Sequence, residues 1–426
     1  MLVGGQPHRV AIVGGTRIPF ARAQGAYADV GNQDMLTAVL AALVTRFGLE
    51  GAELGEVAAG AVLKHSSQWN LTRECVLGAG LAPTTPGVDL TRACGTSLEA
   101  AVLVANKIAL GQIESGIAAG VDTASDAPIV FGREYQQLLL ESFRGKTAGA
   151  RLRPWLRFRP RFLKPVAPSV TEPRTGLSMG QSTERMAKAF GIGRAEQDLL
   201  ALTSHQRAAR AYDEGFFSDL VVPFHGLAAD NTLRRDTSIE QLSRLKPAFD
   251  PDHGTLTAGN STAMTDGAAA VLLASERWAR SRALPVQAYL SYAKVAAVDF
   301  VGRDGLLIAP AFAVPRMLAD AGLTLQDFDF YEIHEAFAAQ VLCTLRAWES
   351  ADFCRDRLGL AAPLGAIDRD KLNVTGSSLA LGHPFAATGA RILATLAKLL
   401  STRGGKRGLV SICTAGGMGV TAIVER

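Results

Sequence analysis

Residues 94–125, CGTSLEAAVLVANKIALGQIESGIAAGVDTAS, and residues 382–417, GHPFAATGARILATLAKLLSTRGGKRGLVSICTAGG, read in the same order. Each opens on a turn of small residues, runs through an apolar helix and ends in a buried strand. The match extends upstream. Residues 36–63, LTAVLAALVTRFGLEGAELGEVAAGAVL, and residues 311–338, AFAVPRMLADAGLTLQDFDFYEIHEAFA, each give helix, short connection, strand and loop. Identity between the copies is low, but the same order occurring twice predicts a duplicated α/β unit. In such sheets the active site lies where strand ends and loops meet.

The remaining elements fit around this repeat. A first strand is expected over His8–Val13, a helix over 34–47 and a strand over 55–63. The first half takes residues 1–121 and 251–285, and the second takes 286–426. Residues 122–250 differ in character and read as an inserted loop domain. It holds two amphipathic helix patterns, 178–191 and 194–215, the first opened by a Ser178-x-x-Gln181 capping box. A second Thr-x-x-Glu box, Thr96 to Glu99, predicts the start of the helix after Cys94.

With 426 residues the chain exceeds one ordinary core. The start, MLVGGQPHRVAIVGGTRIPF, lacks a basic region followed by an apolar core and a cleavage site, and no stretch is long and apolar enough to span a membrane. The five cysteines contain no Cys-x-x-Cys pair, which argues against a disulfide framework or a zinc site and fits a reducing cytoplasm. The net charge of +4 is local in origin. Between Ser142 and Thr171 stand eight Lys or Arg and no acidic residue; the rest of the chain has 36 basic residues (44 less 8) against 40 acidic ones. A general nucleic-acid surface is therefore not expected.

Four places put a reactive side chain in a turn or at a strand end: Cys94, His383 between Gly382 and Pro384, Cys413 before Ala415-Gly416-Gly417, and His334 with Glu335. Cys94, two residues before a helix start, would sit at the positive end of the helix dipole, which favours a thiolate. Two cysteines and two histidines spread over both halves suit acyl transfer: a thiolate attacks a carbonyl, a histidine activates it, and backbone N–H groups hold the oxyanion. For any one of them alone a small core residue is the competing reading. Cys75, Cys343 and Cys354 fall in helical patterns and read as structural. His8, His65, His205, His225 and His253 read as surface or locally bonded.

Taken together, TRACGTS (91–97), LTAGNSTAMTDGAAAVLL (256–273), HEAFAAQ (334–340), LALGHPFAATGAR (379–391) and CTAGGMG (413–419) resemble the active-site segments of the thiolase family, in that family's order. The likeness runs from about His8 to Arg426. It is nearest to the thiolase β-subunits of fatty-acid-oxidation complexes, on the grounds of His334 where many thiolases carry Asn, SHQRAARAY (204–212), KPAFDPDHGTLTAGNST (246–262) and the basic aromatic insert. The resemblance implies a layered, duplicated α/β/α fold and thiolysis of 3-ketoacyl-CoA by CoA, or its Claisen reverse.

It also implies the roles. Cys94 is the nucleophile, His383 takes its proton, and Cys413 protonates the departing carbanion. His334 with His383 serves the enolate, and the N–H groups of Cys94 and Ala415 serve the tetrahedral oxyanion. Met179, Thr262 and Phe337 line the CoA channel. No metal or redox cofactor is implied, CoA being a substrate, and a homodimer or homotetramer is the family form. A hydratase–dehydrogenase α-subunit is a further partner. The insert over 144–164, where aromatics alternate with arginines, would meet an anionic surface: that subunit, a membrane or the phosphates of CoA. A biosynthetic acetoacetyl-CoA thiolase, a β-ketoacyl synthase and a non-catalytic subunit are the alternatives. Cys413 argues against the synthase.

Overall fold

The computed structural model describes residues 7–169 and 171–426; the opening MLVGGQ, on which part of the targeting reading rests, lies outside them. The strands that build the sheet are β1 (Val10–Arg17), β2 (Glu56–Ala59), β3 (Gly87–Asp89), β4 (Ser115–Asp122), β5 (Thr265–Ser275), β6 (Ala288–Ala297), β7 (Phe330–Ile333), β8 (Arg407–Thr414) and β9 (Met418–Glu425). The helices that matter are α1 (Asn32–Phe47), α2 (Thr96–Ala109), α3 (Arg133–Arg144), α4 (Met179–Ala189), α5 (Arg194–Asp213), α6 (Pro310–Ala321), α7 (Ala338–Glu349) and α8 (Thr388–Arg403).

The duplication is written in the strand order, β7-β8-β9-β6-β1-β5-β4-β2-β3. Outward from the centre, β1-β5-β4-β2 mirrors β6-β9-β8-β7. Pair by pair the directions agree: β1–β5, β5–β4, β6–β9 and β9–β8 are antiparallel, whereas β4–β2 and β8–β7 are parallel. The copies join where β1 meets β6, with Ala11 opposite Tyr289. Helices α2 and α8 share one apolar core between the two half-sheets, through residues such as Leu98, Val104, Ile392 and Leu396. On the far side of the first half lies α1, with Met35, Leu36 and Leu40 buried. On the far side of the second lie α6 and α7. The layers thus run helix, sheet, helix, sheet, helix. Each fully buried Leu in them contributes up to roughly 1.5–3 kcal/mol from removal of apolar surface.

The halves differ in one connection. β8 passes to β9 through the short turn Ala415-Gly416-Gly417, whereas β4 and β5 are separated by residues 123–264, which carry α3, α4 and α5. The Ser178 capping box forms at the start of α4, with Gln181 N donating to Ser178 Oγ and Ser178 N to Gln181 Oε1.

Local expectations shift for physical reasons. β1 begins at Val10 rather than His8, whose N–H bonds Ala109 O instead. The strand expected over 55–63 stops at Ala59, because the N–H groups of Val62 and Leu63 are captured by Asp122 Oδ1. The Thr96–Glu99 capping box does not form. Thr96 is already the first helical residue; its hydroxyl donates to Ala93 O and accepts from Arg92 N, while Glu99 pairs with Arg92.

Candidate active site

Cys94 stands in the turn between β3 and α2. The preceding Ala93 has φ +44°, a left-handed conformation that costs a non-glycine residue about 1–3 kcal/mol. Thr96 holds it there through the two bonds just described. Helix α2 is pressed onto α8 at Leu98, where a Cβ on Gly389 would meet Leu98 N at 2.4 Å. Ala390 N also donates to Ser97 Oγ at 2.8 Å. The helix that follows Cys94 and the helix that follows His383 are therefore locked together.

His383 is fixed from three sides. Its N–H donates to Thr265 Oγ1 at 2.8 Å, and its Nδ1 lies 2.6 Å from Thr388 Oγ1. Three residues on, Ala386 N donates to Asp122 Oδ2 at 2.8 Å. His334, at the end of β7, is anchored by its N–H to Ser411 O at 2.8 Å, two residues before Cys413. The His334 and His383 ring centroids are 4.1 Å apart. The Cys94 sulfur and one ring nitrogen of each histidine all lie within 4.8 Å of one another. Cys413, the last residue but one of β8, is buried and near enough to Cys94 for that sulfur to oppose its ionisation. The backbone N–H groups of Ala415 and of Cys94 itself are turned toward the Cys94 sulfur and favour its anion.

Electrostatics leave this cluster neutral. Burial pushes the Cys94 thiol up to about 12, against these two N–H groups. This reverses the expectation drawn from the helix dipole: desolvation outweighs it. Burial, then Cys94, holds the Cys413 thiol well above its ordinary value. Burial and then Arg391 carry His383 down to about 3. His334 is pushed well down by burial, then by His383 and Arg391. Two thiols that keep their protons face two neutral imidazoles. A thiol and two imidazoles also have the donor chemistry of a metal site, and each Nδ1 lies against a hydroxyl.

The three residues assigned to a CoA channel fall near one another. Thr262 donates through both N–H and Oγ1 to Ala336 O, at 3.1 and 3.0 Å. Phe337, the next residue, meets Phe249 edge-on with centroids 5.9 Å apart. Met179 opens α4 and packs on the same apolar cluster as Phe337.

Several residues that hold the site were not singled out from sequence. Glu172, from the insert, accepts from Gly416 N at 2.6 Å and so fixes the loop that carries Ala415. Asn373 accepts from Ile333 N at 2.9 Å and donates to Glu335 Oε1 at 2.7 Å. Ser378 lies 2.8 Å from His334 Nδ1, and Arg391 reaches Ser378 from α8. Only Arg391 carried a signal: a guanidinium inside the apolar run of α8.

The family description "Thiolase, N-terminal domain" matches residues 10–277 and "Thiolase, C-terminal domain" matches residues 284–426. A 3-ketoacyl-CoA thiolase of Pectobacterium atrosepticum is 44% identical over 423 residues, 98% of this chain and 96% of that protein. A 3-ketoacyl-CoA thiolase of Yersinia pestis is 41% identical over 430 residues, covering 100% of this chain and 98% of the relative. Among solved structures, the Bacillus anthracis acetyl-CoA acetyltransferase superposes with TM-score 0.83 at 31% identity, over 99% of this chain and 100% of that one. Human mitochondrial 3-ketoacyl-CoA thiolase gives 0.81 at 29%, over 98% and 99%.

Proposed function

We propose, from the premise that this chain belongs to the thiolase family, how its residues carry out the thiolysis of a 3-ketoacyl-CoA by CoA. The enzyme is an acyltransferase that releases acetyl-CoA and a shortened acyl-CoA, the reaction of fatty-acid β-oxidation. The observation that supports the assignment of roles is the convergence of the Cys94, His334 and His383 donor atoms within 4.8 Å, next to Cys413.

His383 takes the proton of the Cys94 thiol as substrate arrives. The Cys94 sulfur bonds to the 3-keto carbon, and the resulting oxyanion is held by the N–H groups of Cys94 and Ala415, which already face that sulfur. The bond between C2 and C3 breaks, and its electron pair becomes the enolate of acetyl-CoA. His334 and protonated His383 bond the enolate oxygen, and the Cys413 thiol delivers its proton to C2. CoA then gives its proton to the Cys413 thiolate and attacks the acyl group. This releases acyl-CoA and the Cys94 thiolate, which recovers its proton from His383. Met179, Thr262 and Phe337 line the CoA channel. No metal or redox cofactor takes part.

A homodimer or homotetramer is the proposed assembly, and the cytoplasm the proposed compartment. Among the described residues no helix is long and apolar enough to cross a membrane. The insert supports a peripheral contact. Pro154 and Pro160 each fall in the first turn of a short 3₁₀ helix, so no long helix forms. Phe131, Tyr135, Trp155, Phe158 and Phe162 make a chain of ring contacts. Phe143 and Leu156 remain 80% and 82% exposed, and Leu140, Leu152 and Leu163 are exposed as well, a grouping that supports a contact surface. An anionic membrane surface or an α-subunit is the proposed partner.

The reaction assignment is tested by mixing purified protein with a 3-ketoacyl-CoA and CoA. Stoichiometric acetyl-CoA is expected. Malonyl-dependent condensation in its place would revive the synthase alternative.

A further inference from the structure

We propose that Ser378, oriented by Arg391, fixes the tautomer of His334 so that its Nε2 carries the proton and presents it to the enolate oxygen. The proposal rests on the reading of His334 as an enolate-oxygen donor and names the device that makes it one.

The argument is one of donors and acceptors. Arg391 is buried in α8, and its guanidinium has only N–H donors to offer. Its Nη2 donates to Ser378 Oγ at 2.7 Å and its Nη1 to Ser377 Oγ at 3.2 Å. The Ser378 oxygen is therefore an acceptor toward Arg391, and its own hydrogen is free for one further bond. The oxygen could accept a second bond, but its hydrogen has no other acceptor among the described hydrogen bonds, so it points to His334 Nδ1, 2.8 Å away. Nδ1 must then accept, so a neutral His334 carries its proton on Nε2. The Nε2 atom is buried and has no hydrogen-bond partner among the described residues. A buried donor without an acceptor is costly unless something arrives to take it. An oxygen anion formed among Cys94, His383 and His334 is such an acceptor.

Arg391 acts a second way. Its charge, with burial and His383, keeps His334 from binding a second proton. The imidazole can then polarise the enolate through a hydrogen bond without giving its proton away, the arrangement that suits an electrophile. Burial lowers the guanidinium to about 10, and Glu332 and Glu335 lie near it and offset part of that desolvation. Glu335 is tied to Ser204, Asn373 and the N–H of Leu379, so the positive charge faces a fixed counter-charge. Ser378 and Arg391 are thus positioning residues: neither touches the reacting atoms.

The test separates this device from a general structural role. Ser378→Ala is measured in thiolysis and in acyl exchange between acyl-CoA and CoA, which acylates Cys94 but forms no enolate. Thiolysis turnover should fall about 10- to 100-fold, the lower range for loss of an oxyanion donor. The CoA Michaelis constant and the exchange rate should stay within about twofold. Equal losses in exchange and thiolysis, or unchanged thiolysis, would overturn the proposal. His334→Ala runs alongside: if it too leaves turnover unchanged, the reading of His334 fails; if it slows turnover while Ser378→Ala does not, the tautomer device alone fails. Should Ser378→Ala not fold, ¹⁵N-histidine spectra of the wild-type enzyme decide. A protonated Nε2 and a bare Nδ1 on His334 are expected, and the opposite tautomer contradicts the proposal.

Discussion

His334 and His383 lie with ring centroids 4.1 Å apart, their planes inclined by 49°. Two imidazoles so close cannot both carry charge, and burial drives both toward the neutral form. The resting site is therefore a set of neutral acids and bases.

That state has a pH signature. Alkylation of Cys94 by iodoacetamide in the free enzyme should be slow at neutral pH. With the thiol pushed up to about 12, each pH unit should raise the rate about tenfold between roughly pH 6 and 9. His383, carried down to about 3, should add no inflection in that window. A rate that is already flat below about pH 7 would indicate a preformed thiolate–imidazolium pair and contradict this description.

Cys413→Ala should split the reaction. Acyl exchange onto Cys94 moves no proton on carbon, so it should persist. Thiolysis and condensation both need that proton and should drop at least about 10²-fold. Parallel loss of exchange and thiolysis would remove Cys413 from the acid–base role.

Gly389→Ala should cost stability and activity together. The new methyl would meet the Leu98 backbone nitrogen at 2.4 Å, so α2 and α8 must part. A loss of about 1–3 kcal/mol in unfolding free energy is expected, the scale of overpacking a core. Because the two helices carry Cys94 and His383 at their starts, turnover should fall as well. Unchanged stability in urea melts would mean the helices slide apart freely.

The side chains that converge at the site were legible because each lies in or beside a loop whose sequence is distinctive. Their supports were not. Glu172 holds Gly416 from 244 positions away, and Ser378 acquires its role only when α8 brings Arg391 beside it. The duplication was likewise visible in the order of helix and strand patterns. The early end of β2 at Ala59 was not, since it depends on Asp122 reaching across from β4. Local pattern announces what the backbone does; a capture by a distant carboxylate is invisible until the sheet is assembled.

Deletion of residues 144–164 should leave thiolysis of a short substrate largely intact. Binding to anionic vesicles or to a hydratase–dehydrogenase subunit should weaken, and wild-type vesicle binding should fade with salt as charge is screened. A wild-type protein that binds neither, or binds vesicles without salt dependence, would leave the segment as a solvated loop.

The central claim is that the acyl group is carried by Cys94. Incubating the enzyme with radiolabelled acyl-CoA, quenching in acid and mapping the labelled peptide tests it most directly. About one label per active site is expected on the peptide containing TRACGTS, and Cys94→Ser should fold yet retain no label, a hydroxyl being a far weaker nucleophile at neutral pH. Stoichiometric label on any other residue, or undiminished turnover by Cys94→Ser, would contradict the mechanism.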